Sequence, residues 1–477
     1  MVFNSLHFLV FFVIVYGLYF ALQLKWQNRM LLAASYIFYA FWDWRFSSLI
    51  LFSTVLNYFC GLKIYQSEDV KVRKRIVFIS IAGNLFVLGF FKYFKFFIEN
   101  LNGLFQYIGL SFHFTTFYII LPLGISFFTL QSLSYTIDIY RKGMKPTRDF
   151  VSFALFVSFF PQLVAGPIER AKNLLPQVLT KRAITFDRFF EGSHLFFWGL
   201  FLKVFIADNL ANIVAPVFAA SPPYNGLEVL LAAYAFTFQI FCDFEGYTCM
   251  ARGLAKMMGF DLMLNFDLPY FVTNIQDFWN RWHISLSTWV RDYVYMPIFF
   301  SIRKVNANLR ISITILITMA IMGLWHGASW IFIIWGLYHG VLLVACKVIR
   351  DNCRDWIKPK SIIGQRLWAG LRMLFMFQLI TFGMLIFRAQ WGRQIFDMTR
   401  AMVFHLSWFD GATRMIGQIA GYTCILILVQ VFQYMKKDLL VVLKSQIPLR
   451  VCFYYACLIL LTFYGDFGAD EFIYFQF

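Results

Sequence analysis

Two of the seven histidines stand where an imidazole can do chemistry. His326 lies in Gly323-Leu-Trp-His-Gly-Ala-Ser-Trp330, between two apolar runs. An ionisable side chain at such depth is costly and faces a bundle interior or a wet path. Burial disfavours the charged form of an imidazole. The ring would then rest neutral, with one nitrogen able to take a proton from a hydroxyl, as a general base must. The alternative is a ring satisfied by a backbone carbonyl at a helix interface, and the residues alone leave both readings open. The small residues Gly323, Gly327 and Ala328 let the backbone break or approach another element there. The predicted position of His326 is the meeting point of two half-helices.

His283 lies in Gln276-Asp-Phe-Trp-Asn-Arg-Trp-His-Ile-Ser-Leu-Ser287, a polar stretch set among aromatics. It could orient a substrate hydroxyl, or simply pack at an interface between Trp279 and Leu286. On one continuous helix, Trp279, His283, Leu286 and Val290 share a face, and Asp277 can pair with Arg281 at i, i+4. His339 follows His326 by 13 residues. On a continuous helix it would be turned by about 220° and displaced by about 20 Å, so it is assigned to a different place. His7, His113, His194 and His405 read as interfacial or hydrogen-bonded residues. Asp243 and Glu245 close an apolar span. They are either intramembrane carboxylates, with Arg252 as a candidate partner, or part of a surface loop. Cys242 and Cys249 read as packing residues, since no local cation activates either.

Other chemistries lack their residues. No HExxH, HxxxH or paired-carboxylate spacing marks a metal site, and no GxSxG elbow marks a serine hydrolase. The eight cysteines form no CxxC and lie mostly in apolar stretches, so neither a disulfide framework nor a zinc site is expected.

The elements that must position these groups are membrane helices. The 477 residues are 60% hydrophobic and 14% charged. Mean hydropathy is +0.66. A soluble domain carries about 25% charged residues. No polar linker divides the chain, which reads as one unit, 1–477. Lys and Arg exceed Asp and Glu by 17. These cations lie in short loops between apolar runs, so they read as cytoplasmic topology signals and not as a nucleic-acid surface. Candidate helices are Leu6–Leu24, Leu31–Trp42, Phe46–Ile64, Ile76–Phe97, Leu121–Tyr140, Leu195–Val217, Leu227–Phe244, Ile311–Trp325, Ile331–Val348, Met373–Phe387, Ile416–Tyr434 and Val451–Tyr464. Leu31–Trp42 is short for a span. The first run has no basic residue before it, so it reads as a retained helix. The basic groups Arg141–Arg148 and Arg170–Arg188 both read as cytoplasmic, yet only Phe150–Gly166 separates them. That segment is therefore predicted to be re-entrant, breaking at Pro161, Gly166 and Pro167, with a short kinked span as the alternative. Leu268–Pro297 reads as amphipathic and not as a span.

Five stretches together resemble the membrane-bound O-acyltransferase family, in particular the membrane subunits that O-acetylate bacterial polysaccharides. They are Phe159–Pro167, Asp243–Thr248, Asp277–Trp289, Gly323–Trp330 and the terminal Phe472–Phe477. The chain departs from the usual family loop at Glu245 and Cys249, where a small residue and Asp are more common. The resemblance implies an all-α polytopic membrane protein with about eleven spanning helices, plus re-entrant and amphipathic ones, around a funnel. It implies His326 as the essential histidine and His283 as its partner. It implies acetyl transfer from a cytoplasmic thioester, acetyl-CoA or an acylated carrier protein, to hydroxyls of an exported polysaccharide or cell-wall glycan. Transfer would be direct or through a periplasmic SGNH-type acetyltransferase, from the bacterial inner membrane. Trp325, Trp330, Trp282 and Trp289 could wall the channel, and Arg281 could hold a phosphate or pantetheine carbonyl; the alternative for all five is packing and interfacial anchoring. Asn280, Asp277 and Glu245 are further candidates for the donor path. The alternative of a transporter or flippase is weakened by the absence of internal repeats.

Overall fold

A computed structural model describes the whole chain except Ser111, His113, Thr116, Tyr118, 353–358, Lys360 and 469–477. The readings made for His113, Cys353 and Phe472–Phe477 lie outside the described residues. Those residues contain helices and no strands. Nine segments among them are long and apolar enough to cross a membrane, joined by the shorter apolar helix Leu6–Ala21. The fold is all-α and polytopic, as the composition requires.

The chain forms two compact units, 1–196 with 248–263, and 197–247 with 264–477. In the first, the helices Ser47–Gln66, Val70–Leu88 and Ile125–Tyr140 pack on one another. Their contact is polar. Asn57 and Asn84 exchange amide hydrogen bonds at 3.2 Å, and Ser80 Oγ lies 2.8 Å from Thr136 Oγ1. Buried polar groups away from water must find partners inside the protein, and these two amides and two hydroxyls do.

Leu31–Trp42 proves to be part of a 20-residue helix, Leu24–Asp43. Its polar first turns do not end it, because Asn28 donates to Val178 O at 2.9 Å and accepts from Arg182 at 2.7 Å. Arg182, read as a solvated loop cation, is buried, with its guanidinium 4.8 Å from the Phe260 ring centre. Arg170 is buried as well.

Phe150–Ser158 is a helix of only 9 residues, capped by Asp149, and a turn at Phe160–Leu163 follows it. At 1.5 Å per residue it reaches about 14 Å, well short of the bilayer core. Residues 152–171 are buried throughout. The segment is therefore too short to cross and is packed within protein along its length.

In the second unit, Ala307–His326 and Trp330–Asn352 form an antiparallel hairpin. Asn306 caps the first helix, its Oδ1 accepting from Leu309 N at 2.8 Å. Only residues 327–329 connect the two helices. The backbones touch because Gly323 faces Phe332 O and Gly336 faces Met319 O, so a Cβ at either position would collide with backbone. The expected half-helices are instead helices of 20 and 23 residues. Each is about 30 Å long or more, and His326 sits at the tip of their hairpin.

Gly226–Met257 is one helix of 32 residues that runs through Asp243–Gly246. The surface-loop reading of that segment is therefore overturned. The polar residues stay helical because Asp243 has a buried cation beside it. Lys203 Nζ lies 2.7 Å from Asp243 Oδ1 and 2.7 Å from Asp208 Oδ1. Lys203 stands in a π-helical turn, Leu202–Ala207, which aims its ammonium at both carboxylates.

Candidate active site

His283 does not lie on a continuous helix. Ile275–Arg281 and Ile284–Val290 are separate 7-residue helices, and His283 joins them at φ +44°, ψ 52°. Asn274 starts the first helix, its Oδ1 accepting from Asp277 N at 2.9 Å. The break is held from outside: Ile284 N donates to Asn265 O at 2.9 Å, and Asp267 N donates to Arg281 O at 3.0 Å. The face shared by Trp279, His283, Leu286 and Val290 therefore does not form. Asp277 and Arg281 do not pair either. Asp277 holds Asn274, and Arg281 donates to Asp267 O at 3.4 Å.

Asn265, absent from the sequence reading, fixes the His283 ring. His283 Nδ1 lies 3.2 Å from Asn265 Oδ1. The same oxygen accepts from Ser285 N at 3.3 Å and Ser285 Oγ at 2.8 Å. An amide oxygen with these donors can only accept, so the network assigns the proton to Nδ1 and the lone pair to Nε2. His283 is wholly buried, and burial pushes its pKa down to about 3. The ring is neutral at physiological pH. Phe244, between Asp243 and Glu245, meets it edge-on at 4.6 Å.

Trp325 links the two histidines, with its ring centre 6.1 Å from His283 and 4.9 Å from His326. On its other side His326 meets Trp335 at 5.0 Å and Phe387 at 5.4 Å. Trp335 in turn meets His339 at 4.9 Å. His339 was assigned elsewhere on the premise of a continuous helix. The turn at 327–329 removes that premise, and both histidines touch the same indole. The result is a row of rings: Phe244, His283, Trp325, His326, Trp335, His339. His326 is 4% exposed.

Two clefts lie in the same unit, and none of the rings of this row lines either of them. The first, of about 580 Å³, runs beside the hairpin. Arg291, Lys347 and Arg350 line one end, and Thr318, Met319 and Met322 line the other. Met322 is one helical turn before His326. From Ile311 to Met322 the helix rises about 17 Å, which is the length of the path. Trp279 and Asn280 form its wall. The second cleft, of about 770 Å³, lies between Trp330–Asn352 and Ile362–Arg388 and includes Asp277 and Asn280. Of the expected channel residues, Asn280 borders both clefts and Asp277 the second. Trp282 is buried against Phe278 and Phe266, and Trp289 meets Tyr293 at a tilt, with ring centres 4.9 Å apart. Arg281 and Glu245 line neither cleft. Glu245 follows Phe244 on its helix. The sequence reading also passed over Lys203, although a Lys with an Asp five residues later inside an apolar run was a legible signal.

The geometry holds a buried imidazole at the tip of a hairpin, sets indoles against it, and places a cleft with a cationic end beside the same hairpin. The sequence profile of the membrane-bound O-acyltransferase family matches residues 145–387. A probable alginate O-acetylase, AlgI, of Azotobacter vinelandii is 42% identical over 393 residues, covering 82% of this chain and 75% of that protein. The peptidoglycan O-acetyltransferase of Helicobacter pylori is 37% identical over 356 residues, covering 68% and 66%. The teichoic acid D-alanyltransferase of Bacillus subtilis is 31% identical over 273 residues, covering 56% and 68%.

Proposed function

The chain belongs to the membrane-bound O-acyltransferase family, and we propose that it moves an acetyl group from a cytoplasmic thioester to hydroxyls of an exported polysaccharide, with His326 as the general base. The supporting observation is the first cleft, cationic at one end and bordered by Met322 near His326 at the other. Phosphates of acetyl-CoA suit the Arg291, Lys347 and Arg350 end, and the less polar pantetheine arm suits the body. His326 accepts the proton of the acceptor hydroxyl as its oxygen attacks the thioester carbonyl. The tetrahedral adduct expels the thiolate, which takes the proton back from the imidazolium. The products are an acetyl ester and the free thiol. Proton transfer of this kind contributes about 10²–10⁴-fold. Positioning between indoles supplies a further share.

Polysaccharide is the favoured acceptor because the relatives with the most coverage are named for alginate and peptidoglycan. Membership in an acyltransferase family sets the transporter reading aside. The inner membrane is the compartment where a cytoplasmic thioester and an exported polymer can meet across one bilayer, and a periplasmic SGNH-type partner could complete delivery. A carrier-protein thioester remains the second donor reading, favoured by the likeness to teichoic acid D-alanyltransferases. The test is incorporation of labelled acetate from acetyl-CoA into polymer, by wild type and by His326→Ala at matched protein level. Loss in the variant is expected. Equal incorporation rejects the assignment.

A further inference from the structure

The second cleft has a different character from the first. Its body is made by Leu342, Ala345, Cys346 and Ile349 on one helix and Trp368, Phe375, Met376 and Leu379 on the next. Its polar groups, Arg350, Arg372, Gln276, Asp277 and Asn280, gather toward the end where Trp330–Asn352 finishes and Ile362–Arg388 begins. From Arg350 to Leu342 the helix falls about 12 Å. The cleft is thus a groove between two candidate membrane helices, charged near one end and apolar along its length. The adjoining outer face is apolar too. Ile363, Leu367, Leu371, Leu374 and Phe375 are each 59–73% exposed, as they would be against acyl chains and not water.

The charges match one monoanion. Arg372 donates twice to Thr273 O, at 2.9 and 3.2 Å, and Arg350 donates to Gln276 Oε1 at 3.0 Å. Both retain further guanidinium donors among the described residues. Asp277, held by Asn274, is the carboxylate of the lining. Asp351 is shared between Lys347 at 2.8 Å and Arg350 at 3.7 Å. Among the described residues, Lys347, Arg350 and Arg372 against Asp277 and Asp351 leave one positive charge in excess. The amides of Asn274, Gln276 and Asn280 stand beside it as partners for hydroxyls. The geometry points to a binding site for a diacyl phospholipid with a single phosphodiester charge and a hydroxylated headgroup, of the phosphatidylglycerol type. Its phosphate lies between Arg350 and Arg372, and its chains lie along Leu342, Phe375 and Leu379. Basic pockets between membrane helices hold anionic headgroups by this combination of charge and apolar wall. Gln276, Asn280 and Arg350 border both clefts, so the lipid occupies the wall of the first cleft's cationic end.

The test reads lipid and not acyl transfer, so it stands or falls apart from the proposed function. The full chain is reconstituted in phosphatidylcholine bilayers doped with phosphatidylglycerol, extracted in mild detergent, and its retained lipid is weighed by native mass spectrometry. Wild type is expected to enrich phosphatidylglycerol over its bulk fraction. Arg372→Gln should lower that enrichment about fivefold, the effect of one basic residue at an anionic lipid surface. Ala345→Trp, which fills the groove and leaves every charge in place, should abolish it. Equal retention by wild type and both variants overturns the site. Displacement of the lipid by inorganic phosphate or by coenzyme A at matched concentration also overturns it, because the groove would then read a phosphate alone.

Discussion

The second unit buries two polar assemblies that solve opposite problems. At Lys203 an ammonium meets two carboxylates at 2.7 Å, and the charge is answered from within. Along the row of rings, His339 and Trp335 bury nitrogens that find no hydrogen-bond partner among the described residues. A buried polar atom left without a partner costs about 1–3 kcal/mol. The first assembly holds helices. The second leaves polar atoms unanswered by the described residues.

Substitutions should separate the two. His326→Ala is expected to reduce acetyl transfer by about 10²–10⁴-fold, with the thermal midpoint nearly unchanged, measured by turnover and melting on the same sample. Lys203→Met should do the reverse. It strands two buried carboxylates and should cost about 3–5 kcal/mol of stability, read as a fall in folded yield and melting temperature. Adding Asp208→Asn and Asp243→Asn should restore most of it. If Lys203→Met is as stable as wild type, the ionic cluster is not what holds these helices.

His339→Phe keeps a ring against Trp335 and removes the two unmet nitrogens. Stability should rise or stay level, by about 1 kcal/mol at most, while turnover falls if those nitrogens meet substrate. Unchanged turnover would end the functional row at Trp335.

Two further effects are read in pH. Unfolded His283 binds a proton below about 6.5. Folded, it does so only near 3. Its contribution is therefore complete above 6.5 and declines as pH falls from there toward 3. Glu169, in the first unit, works in the other direction. Burial pushes its carboxyl up to about 7, against the Met263 N–H and the charges of Arg170 and Arg252. The unfolded carboxyl ionises near 4.3, so stability declines as pH rises from there toward 7. His283→Asn should flatten the acid limb of a melting-temperature profile, and Glu169→Gln should flatten the limb approaching neutrality. A profile that neither variant changes would mean that neither group titrates on unfolding.

Local pattern accounts for much of this architecture. Apolar runs announced the membrane helices, and the short Phe150–Ser158 segment followed from two basic groups on either side of it. His326 and His283 stood out because each sits in a polar block among apolar residues. What local pattern missed was set by distant partners. Residues 275–290 satisfy helical periodicity throughout, yet the chain breaks at His283 because Asn265, 18 residues earlier, takes its ring and its neighbour's N–H. Asp243–Gly246 looked like a loop because the cation that neutralises it lies 40 residues upstream. His339 was separated from His326 because their spacing was measured along one straight helix, whereas the turn at 327–329 folds the chain back on itself.

The left-handed backbone at His283 carries one more implication. Glycine would adopt φ +44° without steric penalty, whereas a side chain there opposes folding. Swapping imidazole for hydrogen should therefore relax the bend while emptying the slot beside Phe244. Comfort of the main chain and usefulness of the side group pull apart at a single α-carbon, and the residue found there is the less comfortable of the two.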